Sequence, residues 1–289
     1  MSEYRSVLVH VSDSTRSRDV LACATRVSAA LGAGLRAVHA VEPLHVGAYL
    51  SPETATIAAQ LSEEAERERL ARARAFVVEA SATSGQRIPF ESPGIDPVEA
   101  LLTRSHTADL MLLGQPTDDD ADGPSRRLVS RLLVGAGCPL LLIPATGPIT
   151  HCGTRVLVAW SATRECARAV RDALPLLQRA SAVEVMRLGS PASDTGEPLD
   201  AVADYLRVHG ISATFSARPV REISFGERLL TPTGVDASIG ELLLSHAADM
   251  DADLLVMGGY GHTRAFELVL GGVTRTVLTS MTLPVLMSH

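Results

Sequence analysis

The sequence predicts an α/β protein made of two copies of one unit, each an open five-stranded, mostly parallel sheet with helices on both faces. Three observations carry this reading. Short runs of Val, Leu and Ala, apolar on both faces, alternate with segments whose apolar residues recur at helical spacing, as expected for parallel strands buried between helix layers. Hydrophobic residues make up 46% of the chain but aromatic residues only 3%, so the core is aliphatic. The pattern also restarts halfway. Asp96, Asp109 and Pro139 recur as Asp236, Asp253 and Pro284, at offsets of 140, 144 and 145 residues. Such a period exceeds that of solenoid repeats and fits a duplicated domain.

In chain order, residues 6–12 read as a buried strand, and Asp13-Ser14 supplies helix-start chemistry. Val20, Leu21, Ala24, Val27 and Leu31 place a helix over about 17–31, stopped by Gly32-Ala33-Gly34. A strand over 35–41 leads into Glu42-Pro43. A long charged helix follows over about 52–82, its acidic and basic run at 63–69 forming a solvated face with i,i+4 pairs. A third strand is expected at 87–91. Asp96-Pro97 then opens a helix to about 106, since an N-cap followed by Pro suits a helix start. Strands at 109–113 and 139–143 enclose a helix at 125–135.

Gly147, Pro148 and Gly153 mark the boundary, giving units 1–147 and 153–289. In the second unit, residues 155–161 repeat the first strand and 165–177 the first helix. A short helix at about 198–209 replaces the long charged one. Residues 253–258 and 284–287 repeat the last two strands. The segment 219–234 has no counterpart and no assignable fold.

Composition narrows the chemistry. All 26 basic residues are Arg, which excludes a Walker A lysine, a Schiff-base lysine and a lysine general base. A net charge of −7 argues against a protein that coats nucleic acid. Cys23, Cys138, Cys152 and Cys166 are scattered without metal-ligand spacing and read as reduced thiols. No signal-peptide pattern and no apolar run of membrane-spanning length is present, so a cytoplasmic protein with no membrane partner is expected. No Ser/His/Asp or Cys/His constellation stands out, so no catalytic residue and no metal site is assigned. His10 and His39 read as satisfied strand histidines.

One stretch stands apart. The strand over 253–258 ends at Gly258-Gly259, and a second pair, Gly271-Gly272, precedes a helix carrying Val273 and Thr274. Bare backbone N–H groups at a helix N-terminus form an anion site. The same glycines also suit an ordinary tight β-to-α turn, and both readings stand at this point.

The duplicated unit, with its terminal Gly-x2-Gly-x9-Gly pattern at Gly258, Gly261 and Gly271, resembles a tandem universal stress protein. Residues 7–14 and 156–163 resemble the family's opening strand and turn, 39–43 its second-strand exit, and 253–261 with 271–289 its nucleotide loop and closing elements. The resemblance implies two Rossmann-like (adenine nucleotide α-hydrolase-like) domains. For members that bind nucleotide, it implies an ATP site with phosphates on the glycine turns and an acidic residue after the first strand at the adenosine end. Carried to this sequence, Gly258, Gly259, Gly261, His262, Thr263, Gly271, Gly272, Val273 and Thr274 surround the phosphates. Arg264 or Arg275 would neutralise charge, and Ala159, Trp160 and Ser161 line the crevice. The implied cofactor is ATP, with Mg²⁺ accompanying it, and at most weak hydrolysis is expected.

The sequence departs from the pattern where Gly272 replaces a Ser or Thr and where Ser12 and Ser161 occupy the acidic position, with Asp13 one residue further on. In the first unit the glycines give way to Asp118, Asp119, Asp120 and Asp122, whose charges oppose a polyphosphate, so that unit is expected to bind no nucleotide. The expected role is a nucleotide-responsive regulatory protein. The alternative is an interaction protein whose pocket is empty or takes another small molecule. The edge strands at 140–143 and 285–288 are expected to pair as an intramolecular pseudo-dimer, leaving a homodimer as a further step.

Overall fold

The computed structural model describes residues 3–41, 52–116, 124–147, 149–189, 199–219, 234–259 and 272–289. The first half runs β1 (Ser6–His10), α1 (Arg16–Leu31), β2 (Gly34–Val38), α2 (Pro52–Ser84), β3 (Phe90–Glu91), α3 (Pro97–Ser105), β4 (Leu110–Gly114), α4 (Arg126–Gly135) and β5 (Leu140–Ile143). The second half runs β6 (Arg155–Trp160), α5 (Arg164–Leu177), β7 (Ala182–Gly189), α6 (Leu199–Val208), β8 (Thr214–Pro219), α7 (Gly234–Asp249), β9 (Leu254–Gly258), α8 (Gly272–Ser280) and β10 (Val285–Ser288).

Local chemistry sets many of these boundaries. Asp96 accepts from the Glu99 N–H at 3.0 Å, Ser125 from Leu128 at 3.1 Å and Thr163 from Cys166 at 3.3 Å, so three helices begin on side-chain caps. Gly32, at φ +65°, ends α1, with its N–H on the Ala29 carbonyl and the Ala33 N–H on Ser28. One repeated aspartate pair, Asp109 and Asp253, has a structural cause. Asp109 accepts from the N–H groups of Arg5 and Ser6, both at 2.8 Å. Asp253 accepts from Gly153, Thr154 and Arg155 at 2.8–3.0 Å. Each carboxylate therefore fixes the start of its half's first strand.

Three expected strands are shorter, and the first, β1, ends at His10 rather than 12, where its register with β2 ends. β2 stops at Val38 rather than 41, where its register with β1 and β3 ends, and the His39 ring beyond it bonds the Val11 carbonyl. β3 has only Phe90 and Glu91 rather than 87–91, since Pro89 has no N–H to add to a ladder. In the unassigned segment 219–234, Pro219 closes β8 and Gly234 opens α7, while 220–233 lie outside the described residues. The acidic run at 117–123 also lies outside them.

All ten strands belong to one sheet, ordered β3-β2-β1-β4-β5-β10-β9-β6-β7-β8. Every neighbouring pair is parallel except β5 and β10 at the centre, where Leu140, Leu141 and Leu142 face Met287, Leu286 and Val285. The two edge strands singled out in the sequence thus close on each other and leave no edge between the halves. One face of the sheet buries the aliphatic sides of α1, α2, α5 and α6, and the other buries those of α3, α4, α7 and α8. Each apolar layer runs across both halves.

Polar contacts lock the seam. The Tyr4 hydroxyl donates to the Asp172 carbonyl on α5, and Ser288 Oγ donates to the Asp172 carboxylate at 2.8 Å. Gln115, buried just past β4, donates through Nε2 to the carbonyls of Leu278 and Thr279 at 2.8 and 3.0 Å, and its Oε1 accepts from the Ala145 N–H at 2.7 Å. One side chain of the first half therefore satisfies the C-terminal carbonyls of α8 in the second. Gln115→Ala leaves these groups unpaired and is expected to destabilise the protein by about 2 kcal/mol. Urea unfolding of the full chain checks this, and an unchanged midpoint would remove Gln115 from the seam's energetics.

Candidate functional site

In a doubly wound sheet, ligands bind at the carboxyl ends of the strands where the winding reverses. The strand order places that point between β1 and β4 in the first half and between β6 and β9 in the second.

In the second half, β6 brings Ala159, Trp160 and Ser161 to the crevice. Ala159 packs against the apolar layer on one face and Trp160 against the layer on the other, so the indole serves packing. Ser161 is exposed, its Oγ 3.1 Å from Cys166 Sγ and 3.5 Å from Thr163 Oγ1. These groups form the capped first turn of α5, whose N-terminus faces the crevice.

Gly258 ends β9 against that turn. A Cβ on Gly258 would lie 2.6 Å from the backbone nitrogen of Cys166 and 2.7 Å from the carbonyl carbon of Glu165. The absent side chain lets the α5 N-terminus reach the strand end. Gly259 donates its N–H to the Ser288 carbonyl at 2.8 Å, so the sheet already uses that donor. Its open Cα faces Leu133 of α4, since a Cβ there would sit 2.5 Å from Leu133 Cδ2. α8 starts at Gly272, with Val273 half-buried and Thr274 buried in its first turn. Gly261, His262, Thr263, Arg264 and Gly271 lie outside the described residues.

Glu165 is the residue that sequence reasoning passed over. It stands in the first turn of α5, with a side chain only 12% exposed, beside Gly258. Burial works to raise its pKa. Its own backbone N–H, Arg164 and the Thr163 hydroxyl outweigh that and hold the carboxyl below its ordinary value. The signal in the sequence was an acidic residue in the first helical turn after the crevice strand, four positions beyond Ser161.

In the first half the carboxylate after β1 is taken up by α2. Asp13 is bound by Arg69 Nε at 3.2 Å and by an Arg72 Nη at 2.9 Å, both from α2. Burial works to raise its pKa, but these two arginines bring it below the usual value. Ser12 is tied to Ser17, its N–H and Oγ lying 2.9 and 3.1 Å from Ser17 Oγ. His10 Nε2 lies 2.8 Å from the Ala40 carbonyl and His39 Nδ1 2.8 Å from that of Val11, so each ring nitrogen donates. Burial depresses both, His10 to about 4, aided by the charge each would place beside the other or beside Arg69. Both rings are therefore neutral at pH 7. Among the described residues no group of three or more His, Cys, Asp or Glu side chains gathers as a metal site. None of the described helices is long and apolar enough to cross a membrane.

The model of the Universal stress protein family matches the chain twice, over residues 3–144 and 154–289. The chain belongs to the universal stress protein family. Its two copies in one chain make it a tandem member, as the duplicated sequence pattern anticipated. A comparison with curated proteins gives no match. Among solved structures, a universal stress protein from Archaeoglobus fulgidus DSM 4304 is 14% identical, with 99% of this chain and 97% of that one covered and a TM-score of 0.68. A universal stress protein described from Pseudomonas aeruginosa UCBPP-PA14 is 15% identical over 99% and 93%, with a TM-score of 0.53. At these identities the likeness shows the fold. A universal stress protein from Archaeoglobus fulgidus in complex with dAMP matches over half the length, at 18% identity over 49% of this chain and 98% of that one, with a TM-score of 0.31.

Proposed function

We propose that the second half of this universal stress protein binds one small phosphate-bearing ligand, ATP or a related adenine nucleotide with Mg²⁺ accompanying it, and that occupancy biases a partner contact. The observation that carries this reading is the approach of the α5 N-terminus to the side-chain-free end of β9 at the winding reversal. A second helix, α8, begins at Gly272 after the same strand. The positive end of α5 thus faces the crevice, α8 opens after the same strand, and anions bind at such ends.

In this reading the phosphates lie on the α8 side, over the glycine turn from Gly258 to Gly272, with Gly261, Thr263 and Gly271 contributing and Arg264 or Arg275 countering charge. Glu165 and Ser161 occupy the adenosine side, where a carboxylate accepts from ribose hydroxyls or the base amine. Among the described residues no side chain is assigned to activate water, and the reading is binding rather than turnover. The first half binds none, because Arg69 and Arg72 neutralise Asp13 and Gln115 is committed to the seam.

Titration calorimetry of the full chain with ATP, AMP and dAMP, with and without Mg²⁺, tests this. The expected result is one nucleotide per chain, lost in Gly271→Asp, with a melting temperature that rises as nucleotide saturates. Ligand at about 100 times Kd adds about 2.7 kcal/mol. No heat and no thermal shift at millimolar nucleotide would sink the proposal, and two per chain would sink its restriction to the second half.

One observation favours a second reading. Glu165 places its own carboxylate at the α5 N-terminus, where a phosphate would otherwise gain most. That charge suits a protein–protein regulator whose crevice takes a neutral or cationic molecule. Glu165→Gln separates the two, since it strengthens phosphate binding if the carboxylate repels and weakens nucleotide binding if it holds the ribose.

A further inference from the structure

The linker between the halves lies along α1, and two cysteines meet there. Arg16 Nε donates to the Ala145 carbonyl at 3.2 Å, and Arg26 donates to the carbonyl of Ile149. Between these anchors on α1, Cys23 points into the core, 1% exposed. Cys152, half-buried at the end of the linker, packs against the same apolar layer. Both are free, and the anchoring of the linker on α1 brings the Cys152 thiol beside that of Cys23. Sequence spacing conceals this pair, since 128 residues separate them in the chain. Cys138 and Cys166 are placed otherwise, Cys138 buried among apolar side chains and Cys166 beside Ser161.

We infer that Cys23 and Cys152 form a redox pair, which a hydroperoxide converts to a disulfide that clasps the first half to the strand entering the second. This site is independent of the nucleotide reading. The neighbouring Cys152 thiol and the charge of Arg26 ease loss of a proton from Cys23, while the neighbouring Cys23 sulfur and burial resist its loss from Cys152. The Cys23 thiolate attacks one peroxide oxygen, and the O–O bond breaks. Cys23 becomes a sulfenic acid, and the departing oxygen leaves as water or alcohol after taking a proton. Cys152 sulfur then attacks Cys23 sulfur. The S–O bond breaks, and its oxygen leaves as a second water with the Cys152 proton. Two electrons pass from the thiols to the peroxide, which is fully reduced.

The full chain is treated with hydrogen peroxide while native, then denatured, alkylated and cleaved at arginine. The expected product is intramolecular, about 2 Da lighter from loss of two hydrogens. It joins the peptide 19–26 to the peptide 132–155, with fragmentation placing the bridge on Cys152 rather than Cys138. It reverts with dithiothreitol and is absent in Cys152→Ser. Because the bridge constrains the unfolded chain, the oxidised protein is expected to melt several degrees higher than the reduced one, a gain that Cys152→Ser lacks. Four alkylated thiols after peroxide, a bridge on Cys138, a link between chains, or sulfinic acid on one cysteine without a bridge would each overturn the inference.

Discussion

Gly258→Ala is expected to destabilise the protein by about 3 kcal/mol, while Gly114→Ala at the equivalent position of the first half costs nothing measurable. The two glycines end equivalent strands, but their surroundings differ. At Gly258 the new methyl would meet the backbone of Glu165 and Cys166 at 2.6–2.7 Å, closer than real Cβ contacts come. Backbone cannot rotate aside as a side chain does, so the first turn of α5 has to move away from β9. Overpacking of this kind typically costs about 1–3 kcal/mol, and the upper end applies where the neighbour is main chain. At Gly114 the nearest atoms, on Pro124 and Val20, are 3.6 Å away, an ordinary contact. Chemical denaturation of both variants beside the parent measures the difference. Equal stability of the two would remove the close strand–helix approach from the account of the site. Because the displaced turn is also one wall of the proposed ligand crevice, Gly258→Ala is expected to weaken nucleotide binding as well.

Acidification is expected to remove about 3 kcal/mol of stability through His10 alone. The ring is buried and neutral in the folded protein, and burial lowers its pKa to about 4 from the ordinary imidazole value of 6.5. Between these values the unfolded chain takes up a proton that the folded protein refuses, so stability rises with pH across the window and falls as pH drops from about 6.5 to about 4. At about 1.36 kcal/mol per pKa unit, the full difference is about 3 kcal/mol, entirely lost below pH 4. His39, lowered chiefly by its burial, adds a loss of the same sign. The measurement is the free energy of unfolding against pH for the parent and for His10→Gln. The parent should lose more than the variant between pH 6.5 and 4, and parallel curves would mean that His10 titrates normally in the folded chain.

The duplicated α/β plan was legible because it is written in local periods. Apolar runs of strand length, the helix starts at Asp96-Pro97 and Ser125, and the stop at Gly32 are each decided within a few residues. The closing strands at Leu140 and Val285 were legible too, as unpaired edges in need of a partner. The ends of β2 and β3 were less so. The register between β2 and its neighbours and the missing N–H of Pro89 decide them, and neither alters the hydrophobic pattern.

The site was legible in outline only. The glycine pair at Gly258 announced a place where backbone comes close to something, but the sequence left open whether that something was a phosphate. Its absent side chain is used by the α5 backbone, and the Gly259 N–H by Ser288. Asp13 looked like a stand-in for a ligand-binding carboxylate, yet Arg69 and Arg72 hold it from a helix more than fifty residues away. Glu165 carried no motif and emerged only when the α5 turn was found against β9.

By itself, then, the sequence determined the two-copy α/β architecture, the aliphatic core, the exclusion of lysine chemistry and the location of the glycine turn, because each follows from composition or from spacing within one element. Only the tertiary structure decided which glycine serves packing, that Gln115 seals the seam, that Arg69 and Arg72 hold Asp13, and that Cys23 meets Cys152. Those outcomes depend on distances between elements far apart in the chain. Packing of helices on the ten-stranded sheet sets such distances, and no local period records them.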